Sequence, residues 1–177
     1  SEIAGREAPG AGGVIFTPWI HGNRCPFEDA NAAGMFFNIS INTDKTQMIR
    51  AVIEGICYHM RWMLECEASK VKTSDTIRFV GGGALSPVTC QILADITGRK
   101  IETVPGVQDV GAVGAALLAA VGAGVFESLD MAGRMIRADH EYIPDPANRE
   151  VYDRNYRVFK QLYKSNAANF KILNEIK

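Results

Sequence analysis

The stretch Thr76–Asp95, TIRFVGGGALSPVTCQILAD, constrains the fold of this chain more than any other. A β-branched and aromatic run (Ile77, Phe79, Val80) meets three glycines, Gly81–Gly83. Ala84-Leu85-Ser86-Pro87 then opens a helical pattern through Gln91, Ile92, Leu93, Ala94 and Ile96. Strand, glycine turn and helix in this order let the main chain pass close to a ligand that a side chain would push away. Ser86 suits an N-cap, and Pro87 the first helical position, where its missing N–H costs nothing. The pattern reads as a nucleotide-contacting turn of an α/β domain. A tight strand-to-helix turn with no ligand would use the same residues.

The flanking sequence supports a layered α/β arrangement. Gly98 stands where a glycine C-cap would end the helix, and Lys100–Val104 reads as a second short strand closed by Pro105-Gly106. Thr76–Val80 and Lys100–Val104 would lie parallel through a right-handed crossover, with any ligand at their carboxyl ends, where the glycines are. Upstream, Asp44–Ala68 is a predicted helix. Asp44 and Gln47 have capping-box spacing, and Ile49, Val52, Ile53, Ile56, Met60, Met63 and Leu64 form one apolar stripe. Gly55 in mid-helix costs about 1 kcal/mol against alanine, which implies a close packing contact. Glu54 and His59 are expected at the helix surface or partly buried, without chemistry.

Other segments are read as follows. Gly5–Gly13 is glycine-rich and is expected to be a mobile loop. Val14–Ile20 and Gly34–Ile41 are strand candidates, the second apolar enough for burial on both faces. Asp109 is placed to cap a helix of small residues, and Ser128–Ile136 reads as a shorter helix. Asp145-Pro146 starts a last helix whose stripe of Tyr152, Tyr156, Phe159, Tyr163, Ala167 and Phe170 would dock on the domain. Arg154, Arg157, Lys160 and Lys164 would form its solvated face.

Val110–Phe126 is uncharged, but it lies at the short limit for crossing a bilayer and few of its residues are large and aliphatic. It is expected to be a helix buried in a soluble core. A net charge of −1 gives no reason to expect a nucleic-acid or acidic-membrane partner. The four cysteines show no Cys-x-x-Cys spacing. Cys57 and Cys66, nine residues apart on one helix, would be about 13 Å apart, too far to bridge. The histidines are equally dispersed, so no zinc site is expected. Reduced thiols and no signal-peptide pattern suit a cytoplasmic protein.

Four stretches together resemble the C-terminal domain of the FGGY family of carbohydrate kinases, most of all its xylulokinase branch. They are Ile15–Pro26 (IFTPWIHGNRCP), Ile49–Met60 (IRAVIEGICYHM), Phe79–Asp95 (FVGGGALSPVTCQILAD) and Asp109–Gly124 (DVGAVGAALLAAVGAG), in the family's order. The resemblance implies a ribonuclease-H-like domain of the actin-like ATPase fold, in which two such domains close on ATP and sugar. The whole chain, residues 1–177, would be one partial domain: an excised C-terminal portion of a kinase roughly threefold longer, lacking the first strands of its sheet. Gly34–Ile41 would then be an unpaired edge prone to self-association, so a homo-oligomer is possible.

By the same resemblance the turn Gly81, Gly82, Gly83 and Ala84, with Ser86 and Pro87, is the nucleotide-binding element, packing against adenosine. ATP and Mg²⁺ are the implied cofactors of the full-length kinase. No catalytic and no metal-binding residue is assigned to this chain, because the family's catalytic aspartate and phosphate loops lie N-terminal to everything here. The implied reaction is transfer of the ATP γ-phosphate to a sugar hydroxyl, most like D-xylulose. Gluconate, ribulose, fuculose and glycerol kinases share the pattern, and a non-catalytic actin-like nucleotide sensor is the reading from another class. Departures from the branch are Thr89 in place of tryptophan, Ala32-Ala33-Gly34 in place of Ala-Arg-Gly, and Asp109 in place of glutamate.

Overall fold

The structure is a computed structural model and describes residues 2–175. A short helix α1 (Glu2–Gly5) and a 3-10 turn (Ala11–Gly13) lead into β1 (Ile15–Thr17) and β2 (Met35–Phe37). The long helix α2 (Lys45–Ala68) follows, then β3 (Thr76–Arg78), a 3-10 turn (Gly82–Leu85) and α3 (Pro87–Thr97). The chain continues through β4 (Lys100–Glu102), α4 (Val110–Gly122), α5 (Leu129–Gly133), β5 (Glu141–Tyr142), a 3-10 turn (Pro146–Asn148) and α6 (Arg149–Asn174). Strands β1 and β2 pair antiparallel; β3, β4 and β5 form a second sheet in that order. The β3–β4 pair is parallel, with Ile77 opposite Ile101, as the sequence pattern predicts.

The elements start where local chemistry dictates. Asp44 accepts from the Thr46 and Gln47 amides while the Gln47 side chain accepts from the Asp44 amide, a complete capping box. Helix α3 starts with Ser86 accepting from the Thr89 amide at 3.1 Å and ends on Gly98 in the left-handed conformation. Asp145 does not cap the last helix directly: it accepts from the Ala147 amide to start the preceding 3-10 turn, and α6 begins at Arg149.

The core is aromatic and lies between α2, α3 and α6. Trp19, Tyr58, Tyr152, Phe159, Leu93, Ile96 and Ile101 are all fully buried. The Trp19 ring is enclosed by Phe27, Phe159, Tyr163 and Phe170, with centroids 5.3–6.3 Å away. The stripe expected on α6 is therefore its docking face. Trp19 Nε1 donates to His59 Nδ1 at 3.4 Å. Burial holds the His59 imidazole below its ordinary value, although its hydrogen bond with the Cys25 backbone acts the other way.

Folding thus favours neutral His59. As pH falls through about 6.5 the unfolded chain takes up a proton that the folded one refuses. Stability present above that pH is lost as pH falls towards the folded-state value. Urea midpoints should fall between pH 7 and pH 5, and less steeply in His59→Gln. Equal slopes would count against this role.

Several expectations need correction. The segment before β1 is not a free loop: Ala4 and Ala11 are fully buried, and the Gly10 amide donates to Glu54 Oε1 at 2.9 Å. Glu54 is not a surface residue but 1% exposed and paired with Arg50 at 2.7 Å. Gly34–Ile41 is neither buried on both faces nor unpaired, since Met35–Phe37 is half-buried to exposed and pairs with β1. In the second sheet β3 and β5 are both edge strands.

Helix α4 is not buried: none of its residues is, and Leu118 is 60% exposed. Its apolar sequence measures what it can bury, but among the described elements its main neighbour is the five-residue α5. Asp109 precedes it without making a capping hydrogen bond. No helix among the described residues is long and apolar enough to cross a membrane.

Candidate functional site

The glycine turn sits at the carboxyl end of β3, where the parallel pairing with β4 runs on past the strands. The Phe79 amide donates to Glu102 O and the Gly81 amide to Val107 O, both at 2.8 Å. This stitches the turn to the loop that leaves β4. Gly81 adopts φ +86°, ψ −171°, a conformation essentially restricted to glycine. An added Cβ at Gly83 would lie 2.8 Å from the Phe79 ring. Gly82 has neither constraint, with nothing within 4 Å of such an atom. Two of the three glycines therefore serve the turn itself. At Gly82 only open space lies above the main chain, as an approaching ligand would require.

Beside the turn is a cleft of about 330 Å³, within the range of small-molecule sites. Its apolar lining comes from Ala84, Leu85, Pro87, Val104 and Val107. Its polar lining comes from Thr103, Gln108, Asp109, Asp139, His140 and Tyr142. Of the six residues expected to contact nucleotide, Ala84 and Pro87 line this cleft directly. Gly81, Gly82 and Gly83 form the turn at its side without lining it. Ser86 spends its hydroxyl on the α3 cap.

Main-chain pairing and α3 hold the polar lining. Thr103 exchanges backbone hydrogen bonds with the 139–140 segment: its amide donates to His140 O at 3.0 Å, and the Asp139 amide donates to Thr103 O at 2.8 Å. Asp95 on α3 accepts from the Asp145 amide and from Asn148 Nδ2, while Gln91 Nε2 donates to Ile143 O. These bonds dock the chain after β5 onto the helix that the glycine turn begins. His140 Nδ1 lies 3.0 Å from Asp139 Oδ2. Under the turn, Cys90 is buried with Sγ 3.7 Å from Ala84 O. Burial pushes its thiol pKa up, so it acts as packing and not as a nucleophile.

The polar lining is what sequence reasoning missed. Thr103 and Val104 could have been found from the rule that ligands sit beyond strand carboxyl ends. Asp139 and His140 carry no local signal, because only the pairing of this segment with Thr103 brings them to the cleft. Chemically, the cleft combines apolar side chains with hydrogen-bonding groups. Two carboxylates, Asp109 and Asp139, disfavour phosphate in the cleft itself.

Residues 2–123 match the C-terminal domain of the FGGY family of carbohydrate kinases. Among curated relatives, the xylulose kinase of Lactococcus lactis subsp. lactis (strain IL1403) is 35% identical over 89% of this chain and 32% of its own. The glycerol kinase of Coxiella burnetii (strain Dugway 5J108-111) is 33% identical over 86% of this chain and 31% of its own. The solved xylulose kinase and gluconate kinase of Lactobacillus acidophilus each align with a TM-score of 0.88 and 28% identity, over 97% of this chain and 35% of theirs. The chain spans about a third of the length of these relatives.

Proposed function

Because the chain belongs to the FGGY family of carbohydrate kinases, we propose that it is the nucleotide-side portion of an ATP-dependent sugar kinase, holding adenosine at the glycine turn. The observation that carries this reading is the cleft beside Gly81–Ala84, lined by both apolar and polar side chains, at the carboxyl ends of a parallel strand pair. A purine ring suits the side chains of Ala84, Leu85, Pro87 and Val107, with Gly82 leaving the main chain open to it. D-xylulose is the proposed acceptor of the full kinase, supported by the xylulose kinase relatives. Glycerol and gluconate kinases of comparable similarity mark the range of sugars to be tested.

Phosphoryl transfer needs the hydroxyl, the γ-phosphate and Mg²⁺ positioned together. Among the described residues no group of three or more His, Cys, Asp or Glu side chains is placed to hold a metal ion. The part of this chain is to bind and orient the nucleoside.

Calorimetric titration of the 177-residue chain with adenosine, ATP and tripolyphosphate tests the reading. Adenosine and ATP should bind weakly and within a few-fold of each other, tripolyphosphate should not bind, and ATP with D-xylulose should give no turnover. Strong dependence on the phosphates, or sugar phosphorylation by this chain, would refute it.

A further inference from the structure

Strand β3 is paired on one side only. The Phe79 amide donates to Glu102 O and the Lys100 amide to Asp75 O, both across to β4. By the alternation of a strand, the N–H and C=O groups of Thr76 and Arg78 therefore face the open side. There the Thr76 amide takes Ser74 Oγ at 3.1 Å as a local substitute for a ladder bond. The strand carries no proline to blunt this edge, and its one charge, Arg78, is drawn inward to Glu102 at 3.7 Å. Ile77 at its centre also lines an apolar cleft of about 300 Å³, with Met60, Met63 and Leu64 of α2 and Leu93 of α3; Glu67 is the one charged residue of that lining. Unpaired main chain and uncovered apolar surface thus meet at one residue. The other edge strand of this sheet, β5, has two residues and offers a shorter ladder.

A second copy of the chain meets both needs through symmetry. Antiparallel pairing centred on Ile77 sets Thr76 opposite the partner's Arg78, each exchanging N–H and C=O bonds through the groups that face outward. Ile77 then stands beside the partner's Ile77, with Cβ atoms about 5 Å apart. The two-fold axis is perpendicular to the sheet, so both clefts lie on the same face and their methionines and leucines approach across the axis. No like charges stand directly opposite in this register. The two Arg78 side chains are diagonal, each held towards its own Glu102. A net charge of −1 per chain opposes association little.

We propose that two copies of this chain pair through the open edge of β3, joining their three-stranded sheets into one about a two-fold axis at Ile77. The pairing does not depend on the nucleoside reading. The test is sedimentation velocity of the 177-residue chain from micromolar to millimolar concentration, with hydrogen exchange at both ends of that range. Wild-type chain should pass from monomer to dimer, and exchange of the Arg78 amide should slow as it does. Thr76→Pro removes an outward N–H at the first residue of the strand without touching the pairing to β4, and should weaken the dimer at least about tenfold. Met63→Glu should do the same by placing a charge in the covered cleft. Circular dichroism at micromolar concentration checks that both variants keep the wild-type fold. Leu118→Glu, on the exposed face of α4, should leave association unchanged. A chain that stays monomeric throughout, a dimer that survives both β3-side substitutions, or one abolished by Leu118→Glu would overturn the pairing.

Discussion

Arg50→Ala should destabilise the chain by about 3–5 kcal/mol, because it strands a buried carboxylate. Arg50 makes four hydrogen bonds through its guanidinium. Nε donates to Glu54 Oε1 at 2.7 Å, Nη1 to Ala4 O and Glu7 O at 2.8 and 2.7 Å, and Nη2 to the Tyr152 hydroxyl at 2.8 Å. Glu54 in turn accepts from the Gly10 amide and from the Tyr152 and Tyr58 hydroxyls. One guanidinium therefore joins α2 to α6 and to two carbonyls of the N-terminal segment. With side-chain exposures of 6% and 1%, water cannot replace the lost partner.

In a chain of this size such a loss lowers the melting temperature by roughly 6–20 °C. Arg50→Lys should fall between, since a lysine ammonium cannot match the planar fork that reaches four acceptors. Hydrogen exchange separates this from general weakening: the Gly10 amide and the segment 2–13 should lose protection before α3 does. A change below about 1 kcal/mol, as for an exposed pair, would refute the network's role.

This network was invisible in the sequence for a physical reason. Arg50 and Glu54 have ordinary helix i,i+4 spacing, but Tyr152 lies about a hundred positions away, and nothing local marks the pair as buried. Legible features had their partners close by in the chain. Ser86 finds Thr89, Asp44 finds Gln47, and Gly98 closes the turn it ends. The parallel strands were legible because a glycine turn, a helix and a second strand follow in one crossover unit.

The cleft was half legible in the same sense. Its turn and the lining residues Ala84, Leu85 and Pro87 sit in one stretch, while Asp139 and His140 reach it only by pairing with Thr103. The two-residue β5 that continues this pairing is too short to announce itself as a pattern. Helix α4 misled for a different reason. An uncharged run reports the capacity to be buried, and burial also requires a neighbour.

Gly55→Ala pits two effects of known size against each other and should destabilise on balance. Alanine in a helix interior is favoured over glycine by about 1 kcal/mol, so on propensity alone the change would stabilise α2. Here, however, an added Cβ would fall on the carbonyl oxygen of Phe16 and 3.0 Å from its carbonyl carbon. Both are main-chain atoms of β1, so no rotamer change relieves the clash. The strand would have to move away from the helix. β1 is fixed by its pairing with β2 and leads directly to Trp19 in the aromatic core. Overpacking of this kind costs about 1–3 kcal/mol or more, and a backbone obstacle puts it at the upper end.

A net loss of about 1–2 kcal/mol is expected from these two terms, read as a lower urea midpoint. Gly114→Ala is the matching control. It lies within α4, where an added Cβ meets nothing within 4 Å, so only the propensity term operates. Exchange of the amides in 110–122 should slow there. If both substitutions stabilised their helices alike, the close approach of α2 to β1 would not be what keeps glycine at position 55.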